Sequence, residues 1–382
     1  MLFLALDVNL GAPQGDAIHV RELARSLVAR GHAVDVVGLL RSGADQDLPP
    51  GVRHHASPGR PDLRLVRFCS QIARETQCDI IYERRLSPKI AFAVARLASV
   101  PFVVEVNGIP EEAALIRAPR PSPLRPVKSR VRKQMFRAAA RVVAVSDRLA
   151  LRIREEYELA PDRVVTIPNG VDVERFHPMD RAMARREFPP LEGPWILFVG
   201  NLVPWQGVDV LIRAVPAVLK AIPESRILIA GDGVSRQGLE RFASDLGVTS
   251  TVVFRGAVPH HLVPTYIGAS DVCVAPFTRR RNEVVGLSPL KVNEYLACGR
   301  PVVVSDLPGM EFIRDRRLGL VVPPDDPKAL AAALSRLLAD PTEARLMGKR
   351  GREFVLQERS WDRTAERVEG VLRTAVEDRR GI

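Results

Sequence analysis

The sequence contains little of what would mark a secreted, metal-binding or membrane-spanning chain. Its four cysteines are far apart and form no Cys-x-x-Cys pair, which argues against a zinc site and a disulfide framework. No apolar run approaches the roughly 18 residues of a transmembrane helix. The N-terminus reaches Asp7 without the basic and apolar regions of a signal peptide. We therefore expect a cytoplasmic protein in a reducing environment.

Length and composition indicate a soluble protein with more than one hydrophobic core. The chain has 382 residues, of which 46% are hydrophobic and 26% charged, and this length exceeds what one core usually holds. A net charge of +11 favours polyanionic partners such as nucleotide diphosphates, anionic membranes or nucleic acid. Charge alone does not choose among these partners.

Short β-branched runs alternate with amphipathic helical patterns along the whole chain, which predicts an α/β fold with parallel sheets. A first series of strands is MLFLALDV, HAVDVVGLL, CDIIYE, PFVVEVN, ARVVAVS and RVVTIP. A second series is WILFVG, SRILIAG, TVVFRG, ASDVCVAPF, RPVVVS and LGLVVP. The Asn-Gly turn signal in NGVDVERFHP places a linker near residues 169–178. We predict a first domain over residues 1–172, a second over 173–359, and a last helix within 360–382 that packs back on the first domain.

The segment GLSPLKVNEYLACGRPVVVS, residues 286–305, carries the clearest signal of a binding site. A loop of small residues opens a helix there, and free N–H groups with the positive end of the helix dipole attract anions. Glu294 lies one turn into this helix, where its carboxylate can accept hydrogen bonds from both hydroxyls of a ribose. The alternative is a capped surface helix without a ligand. The predicted contacts of a diphosphate are Ser288, Pro289, Leu290 and Lys291.

Two further turns follow strands of the second series, at the sheet edge where open α/β sheets bind ligands. They lie in FVGNLVPWQGVDVLIRA and AGDGVSRQGLE. Their glycines could also serve only as turn and packing residues. The candidate ligand contacts of these turns are Gly200, Asn201, Gln206, Gly207, Gly231 and Gly233.

The first domain offers weaker candidates. NLGAPQGDAIHVREL places Gly15 and His19 at the first strand-to-helix crossing, but its spacing is not G-x-G-x-x-G, so dinucleotide binding is unsupported. His19 is either a ligand contact or a capping or interdomain histidine. Glu105 and Asn107 follow a strong strand, where either can bind ligand hydroxyls. Glu105 could instead pair with an arginine in IYERRLS.

Taken together, these segments resemble the family-4 glycosyltransferases, retaining enzymes of the GT-B fold, over nearly the whole chain. The most specific pieces are IPNGVDVERFHP, FVGNLVPWQGVDVLI, LIAGDGV, VVFRGAVPHHLVPTYIGASDVCVAPF and SPLKVNEYLACGRPVVVSDLPG. The resemblance implies two Rossmann-like domains facing each other across a cleft. It further implies that the second domain binds a nucleotide-diphosphate sugar and the first an acceptor hydroxyl on a glycan, a lipid-linked molecule or a small molecule.

By the same resemblance, Glu294 is the ribose-binding second glutamate of an E-x7-E element, and Gly200 opens the phosphate-side loop. Catalysis is expected to depend on Lys291, Glu294 and Asn107. The acceptor or sugar side is expected at Gly15, His19, Glu105 and Asn107.

The sequence departs from the family pattern at several positions. The first glutamate of E-x7-E falls at Gly286, so its sugar contacts would come from backbone, from Glu283 or not at all. The family's arginine and lysine of the phosphate loop fall at Asn201 and Gln206. Lys291 and residues 279–281 could replace these charges. The combination of PWQGV, SPLK and Asn107-Gly108 is similar to a subgroup of the family.

The mechanism that the resemblance implies is same-face attack, in which the leaving diphosphate takes the proton of the acceptor. Such a transfer needs no enzymic nucleophile, metal or other cofactor. It needs positioning and cationic stabilisation of the diphosphate. An inverting or hydrolytic enzyme would need two facing carboxylates, and the sequence offers no convincing pair.

Residues 117–141 contain nine basic residues and no acidic one. Such a segment can bind anionic lipid, which would place the protein peripherally at the inner face of a membrane. A solvated loop is the alternative. Nucleic-acid binding is disfavoured because Phe136 is the stretch's single aromatic residue, which leaves no stacking platform.

Other functions on the same fold stay open. A nucleotide-sugar epimerase or a sugar phosphorylase would turn over without an acceptor or would depend on phosphate. A non-catalytic partner of another transferase would explain the residues at Gly286, Asn201 and Gln206. A dehydrogenase is a distant further alternative.

Overall fold

The computed structural model describes residues 1–12, 14–39, 49–59, 62–109, 125–188 and 192–380. The chain divides into two compact units, one of Met1–Gly170 with Trp361–Ile382 and one of Val171–Ser360. The boundary therefore falls inside the segment expected to be a linker. Each unit is built around its own parallel sheet.

The first unit contains a parallel seven-stranded sheet in the order β3-β2-β1-β4-β5-β6-β7. Its strands are β1 (Leu2–Asn9), β2 (Asp35–Leu39), β3 (Arg53–Ala56), β4 (Ile81–Arg84), β5 (Phe102–Val106), β6 (Arg141–Ala144) and β7 (Val164–Thr166). Its described helices are α1 (Gly15–Ala29), α2 (Leu63–Glu75), α3 (Lys89–Ala98), α4 (Arg125–Ala138), α5 (Asp147–Tyr157) and, from the end of the chain, Trp361–Arg380. A 3-10 turn covers Pro161–Arg163.

The C-terminal helix Trp361–Arg380 completes the core of this unit. Val368 and Leu372 are buried in the same cluster as Phe3 of β1 and Leu23 of α1. A side chain at Gly170 would meet the Trp361 backbone, because an added Cβ would lie 2.8 Å from the Trp361 Cα atom. The first unit is therefore formed from both ends of the chain.

The second unit contains a parallel six-stranded sheet in the order β10-β9-β8-β11-β12-β13. Its strands are β8 (Trp195–Val199), β9 (Arg226–Ala230), β10 (Val252–Gly256), β11 (Val272–Ala275), β12 (Val302–Ser305) and β13 (Gly319–Val322). Its described helices are α6 (Arg181–Arg185), α7 (Val208–Ala221), α8 (Arg236–Asp245), α9 (Val263–Ala269), α10 (Arg279–Val285), α11 (Leu290–Ala297), α12 (Glu311–Asp315), α13 (Pro327–Ala339) and α14 (Pro341–Glu358), and we number the C-terminal helix α15 (Trp361–Arg380). Two 3-10 turns cover Pro204–Gln206 and His260–Leu262.

Apolar strand residues explain why both sheets are buried on two faces. In the second sheet, one side of β8 carries Trp195 and Leu197, which share a core with Cys273 of the neighbouring β11. Ile196 and Phe198 of β8 belong to the core on the other side. The prediction of two parallel-sheet, Rossmann-like α/β domains is confirmed.

The four cysteines are free and buried (Cys69, Cys78, Cys273 and Cys298). Among the described helices, none combines the length and the apolar character needed to cross a bilayer.

Candidate functional site

The candidate site of the second unit lies at the carboxyl edge of its sheet, beside β8 and β11. The strand order runs outward in opposite directions from this pair, which is the point where open α/β sheets bind ligands. Gly200 follows β8 directly, and Asn201 next to it is exposed. Helix α11 begins at Leu290, after β11 and α10. The loop after β8 and the start of α11 thus supply the candidate residues.

Lys291 is held at this edge by an amide oxygen and an aromatic ring. Its Nζ atom donates to Oε1 of Gln206 at 2.7 Å and lies 3.8 Å from the centre of the Phe198 ring. Burial lowers the pKa of Lys291 to about 7, although the charge of Glu294 acts in the opposite direction. Within the described part of the chain, Lys291 forms no ion pair. An amine placed in this way can bind an anion such as a phosphate.

Gly200 provides the space that Lys291 occupies. A Cβ atom at Gly200 would lie 2.5 Å from Nζ of Lys291. The glycine expected to open a phosphate-side loop therefore has a second role, since it allows the lysine to reach the strand end.

The start of α11 corrects one expectation about the diphosphate contacts. Pro289 occupies the N-cap position and was expected among the backbone donors, but proline has no amide hydrogen and cannot donate. In any α-helix the N–H groups of the first turn have no partner within the helix. The N–H groups that begin with Leu290 therefore remain the suitable donors. Ser288 is partly buried just before the helix.

The other glycines of the candidate loops are explained by packing. A Cβ atom at Gly207 would lie 1.7 Å from the carbonyl oxygen of Pro276, and one at Gly231 would lie 1.9 Å from that of Gly200. The corresponding distance from Gly233 to the carbonyl oxygen of Leu202 is 2.5 Å. These glycines bring neighbouring loops together, so their lack of side chains needs no ligand as an explanation.

Glu294 is buried on α11 and has a partner that the sequence did not reveal. Its Oε1 atom lies 3.2 Å from Nε2 of His260, and the Nδ1 atom of His260 lies 3.1 Å from Nη1 of Arg175. The three residues are far apart in the chain, and the segments containing His260 and Arg175 were recognised only as family motifs. The carboxylate expected to bind ribose is therefore oriented by a histidine.

The residues suggested to replace the missing family side chains lie in and beside α10. Gly286 follows this helix with a positive φ of 70°, which favours glycine. Glu283 is exposed and pairs with Arg279 at 3.3 Å, while Arg281 lies over the ring of Trp205. The structure thus gives Glu283 a local arginine partner.

In the first unit, Glu105 is a buried ion-pair centre. It accepts hydrogen bonds from Tyr82 at 2.7 Å and from Arg84 at 3.1 Å, and His19 Nε2 lies 2.9 Å from its Oε1 atom. Burial by itself would raise the pKa of Glu105, but His19, Arg84 and Tyr82 outweigh it and hold the pKa at about 2. The pairing with an arginine of IYERRLS is therefore present, and the contact of Glu105 with sugar stays a prediction.

His19 shares this buried position. Only 4% of the residue is exposed, and its Nδ1 atom lies 2.8 Å from Oδ1 of Asn169. Its ring also packs edge-on against Trp361. His19 therefore links three segments of the first unit and does not offer a free side chain to an acceptor. The contact of His19 with a ligand stays a prediction.

Asn107 and Gly15 remain accessible in the first unit. Asn107 is exposed immediately after β5, and Gly15 is exposed at the start of α1. Both lie at the carboxyl edge of the first sheet, because each follows the carboxyl end of a parallel strand. Of the four residues predicted on the acceptor side, these two are exposed to solvent.

The basic segment is described only in part. Arg117 and Arg120 lie outside the described residues, and of Arg125 only the backbone is described. From residue 127 onward α4 exposes Val127 (59%) and Val131 (38%) next to the exposed Lys128 and Arg130.

In the described ranges there is no group of three or more His, Cys, Asp or Glu residues that could hold a metal ion.

Comparisons with known proteins cover both units. The family model described as Glycosyltransferase Family 4 matches residues 13–175, and the family model described as Glycosyl transferases group 1 matches residues 193–340. A "D-inositol 3-phosphate glycosyltransferase" of Acidothermus cellulolyticus is 31% identical over 96% of this chain and 88% of that protein. A "GDP-mannose-dependent alpha-(1-6)-phosphatidylinositol monomannoside mannosyltransferase" of Mycolicibacterium smegmatis is 36% identical over 54% of this chain and 55% of its own length.

A solved structure shares the fold at lower identity. HepE from Anabaena, crystallised in complex with UDP and glucose, has a TM-score of 0.76 and 19% identity, and the match covers 98% of this chain and 99% of HepE. The two Rossmann-like units and these matches define the protein as a glycosyltransferase. Both family models and the full-length relative agree on the group, and the chain belongs to glycosyltransferase family 4.

Proposed function

We propose that the protein is a retaining transferase that moves a hexosyl-type sugar from a nucleotide-diphosphate sugar to an acceptor hydroxyl. The observation that carries this proposal is that Lys291 and Glu294 lie on one face of α11. No acid among the described residues forms an ion pair with the Lys291 amine. A cation at the helix start suits a diphosphate, and a carboxylate one turn further suits the ribose of the same nucleotide. The complex of HepE with UDP and glucose supports a nucleotide-sugar donor.

In the proposed reaction, the acceptor oxygen forms a bond to the anomeric carbon on the face from which the diphosphate oxygen departs. The acceptor proton passes to the leaving diphosphate, which therefore acts as the base. Lys291 and the N–H groups at the start of α11 stabilise the negative charge that develops there. Asn107, exposed after β5, is proposed to contact the sugar or the acceptor.

We further propose that the transfer depends on no metal ion, because Lys291 supplies the cationic charge at the diphosphate. Activity should therefore survive treatment of the protein with a chelator. Loss of activity on chelation, with recovery on adding a divalent cation, would contradict this part of the proposal.

The donor proposal is tested by thermal shift of the purified protein with UDP, GDP, ADP and their common sugars. A bound nucleotide raises the melting temperature by mass action, and we expect one base to stand out. The same shift should disappear in Glu294→Ala and should persist in Glu283→Ala, a matched change at an exposed position of the preceding helix α10. The relatives make inositol phosphates and phosphatidylinositol mannosides the first acceptors to test. A product whose anomeric configuration is inverted, measured by NMR, would rule out retention.

We also propose that α4 binds an anionic membrane surface. Val127 and Val131 are exposed one turn apart and are flanked by Lys128 and Arg130, the pattern of a basic interfacial helix. Each basic residue near an anionic surface adds about 1 kcal/mol of attraction. The protein should co-sediment with phosphatidylserine vesicles, and the double variant Lys128→Glu, Arg130→Glu should stay in the supernatant. Equal retention by neutral phosphatidylcholine vesicles would contradict an electrostatic role.

A further inference from the structure

The motif at the start of the second unit forms a fixed turn. The carbonyl oxygen of Asp172 accepts the N–H of Phe176 at 2.9 Å, and its side-chain Oδ1 accepts the N–H groups of Glu174 and Arg175 at 3.1 Å each. An aspartate that binds the amides two and three residues ahead sets the direction of the following side chains. The turn thereby holds Arg175 and Phe176 in defined positions.

Both of these side chains contact the ring of His260. Nη1 of Arg175 lies 3.1 Å from Nδ1 of His260, and the Phe176 ring centre lies 5.4 Å from the His260 ring centre. Because a guanidinium can only donate hydrogen bonds, Nδ1 of His260 is the acceptor. The hydrogen of the neutral imidazole is then on Nε2.

That Nε2–H group points at the carboxylate of Glu294. The distance from Nε2 to Oε1 is 3.2 Å, and the side chains of His260 and Glu294 are only 14% and 10% exposed. A hydrogen bond to a charged acceptor is strong, and shielding from water strengthens it further. It fixes one oxygen of Glu294 and leaves the second oxygen, together with the remaining lone pair of the first, for a ligand.

We infer that His260 is a positioning residue for Glu294, oriented in turn by Arg175 and Phe176, and that this chain of contacts determines how strongly the protein prefers a ribonucleotide. The inference rests on the proposed function, in which Glu294 binds the ribose hydroxyls. It gives the NGVDVERFHP motif a role in donor recognition in addition to connecting the two units.

The test compares the dissociation constants of UDP and 2′-deoxy-UDP, and of GDP and 2′-deoxy-GDP, for the full-length protein. The wild-type protein should prefer the ribonucleotide of its base, and His260→Leu should reduce this preference about tenfold, which corresponds to one lost hydrogen bond to a charged group. His260→Gln should keep most of the preference, because its amide can donate from nearly the position of Nε2.

Two further variants separate positioning from a merely structural role. His261→Leu changes the exposed neighbouring histidine and should leave the preference unchanged. Arg175→Leu changes an exposed residue, so it tests the same chain of contacts without disturbing the core, and it should reduce the preference by a smaller factor than His260→Leu.

The outcomes distinguish the inference from the proposed function. If Glu294→Ala loses the ribose preference while His260→Leu and Arg175→Leu keep it, the inference is overturned and the proposed function stands. If His260→Leu weakens the ribonucleotide and the deoxynucleotide equally, its role is structural and the inference is also overturned. If Glu294→Ala keeps the preference, the ribose-binding role proposed for Glu294 fails and the inference fails with it.

Discussion

At the residue scale, the protein places buried ionisable groups in contrasting surroundings. Glu105 is surrounded by donors and cations, whereas Glu83 accepts the N–H of Ala91 at 2.8 Å. In the described part of the chain, the other oxygen of Glu83 is buried without a hydrogen-bond partner. Burial raises the pKa of Glu83 to about 8, although the Ala91 amide acts against it, so Glu83 is protonated at neutral pH. The same residue type thus stabilises the first unit at one position and destabilises it at another.

We expect opposite effects when each glutamate is replaced by glutamine. Glu105→Gln should lower the free energy of unfolding at pH 7 by about 3 kcal/mol, because it leaves Arg84 and His19 without their carboxylate. The stabilisation that Glu105 provides is present above pH 4.5 and is lost as the pH falls towards about 2.

Glu83→Gln should instead gain stability relative to the wild type as the pH rises from 4.5 to about 8, by up to about 1.4 kcal/mol per pH unit. The folded state keeps a proton in this range that the unfolded state has released. Urea unfolding across this range measures both variants. Parallel stability profiles for Glu83→Gln and the wild type would contradict the assignment of a protonated Glu83.

A second prediction at this scale concerns Lys291. A diphosphate binds the ammonium form, and the pKa of Lys291 is lowered to about 7, so the affinity for a nucleotide sugar should fall as the pH rises above that value. The decrease should be at most about tenfold per pH unit. Calorimetric titration should show proton uptake on binding near neutral pH. Lys291→Met should bind weakly and without this pH dependence, and a wild-type affinity that is constant with pH would argue against Lys291 as the diphosphate cation.

At the element scale, the loop between β8 and α7 depends on a glycine that another loop contacts. Gly207 has φ of 69°, and an added Cβ atom would meet the carbonyl oxygen of Pro276. Gly207→Ala should therefore destabilise the second unit by about 2 kcal/mol or more. The matched control is Gly238→Ala in α8, where nothing lies within 4 Å of an added Cβ atom and a gain of about 0.5 kcal/mol is expected. Scanning calorimetry should show melting temperatures that move in opposite directions, and a drop for both would contradict the packing argument.

The sequence predicted most elements because their apolar patterns are strong. The strand β3 was missed, since Arg53–Ala56 reads RHHA and contains almost no apolar surface. It lies at the edge of the sheet, where pairing with β2 through the backbone defines it. Hydrophobic periodicity cannot report a strand that is specified mainly by backbone hydrogen bonds.

The candidate site was predicted in part for a similar physical reason. Lys291 and Glu294 lie on one short helix, so their spacing was visible in the sequence. The hydrogen bonds from Lys291 to Gln206 and from His260 to Glu294 join residues 85 and 34 positions apart. Such contacts depend on the packing of loops and not on any local pattern. At His19 and Glu105 the polar character suggested a ligand, and the sequence did not reveal that each side chain has hydrogen-bond partners inside the first unit.

At the scale of the whole molecule, two similar parallel sheets carry different polar residues at their carboxyl edges. The second unit presents the Lys291 amine, which no acid in the described ranges pairs, and the Glu294 carboxylate beside His260. The first unit presents the exposed Asn107 and Gly15 and keeps its charged pair buried. The first unit also depends on α15 from the end of the chain. These groups suit the proposed roles, with the diphosphate of the donor in the second unit and the acceptor hydroxyl in the first.

The most direct test of this account is release of the nucleoside diphosphate from a nucleotide sugar, measured with and without candidate acceptors. We expect the purified protein to release UDP or GDP, faster when the correct acceptor is present. Lys291→Met and Glu294→Ala should abolish this release, whereas Lys349→Met on the exposed face of α14 should not. Absence of release from any donor with any acceptor, or release that is unaffected in both site variants, would contradict the central claim and favour a non-catalytic role for the fold.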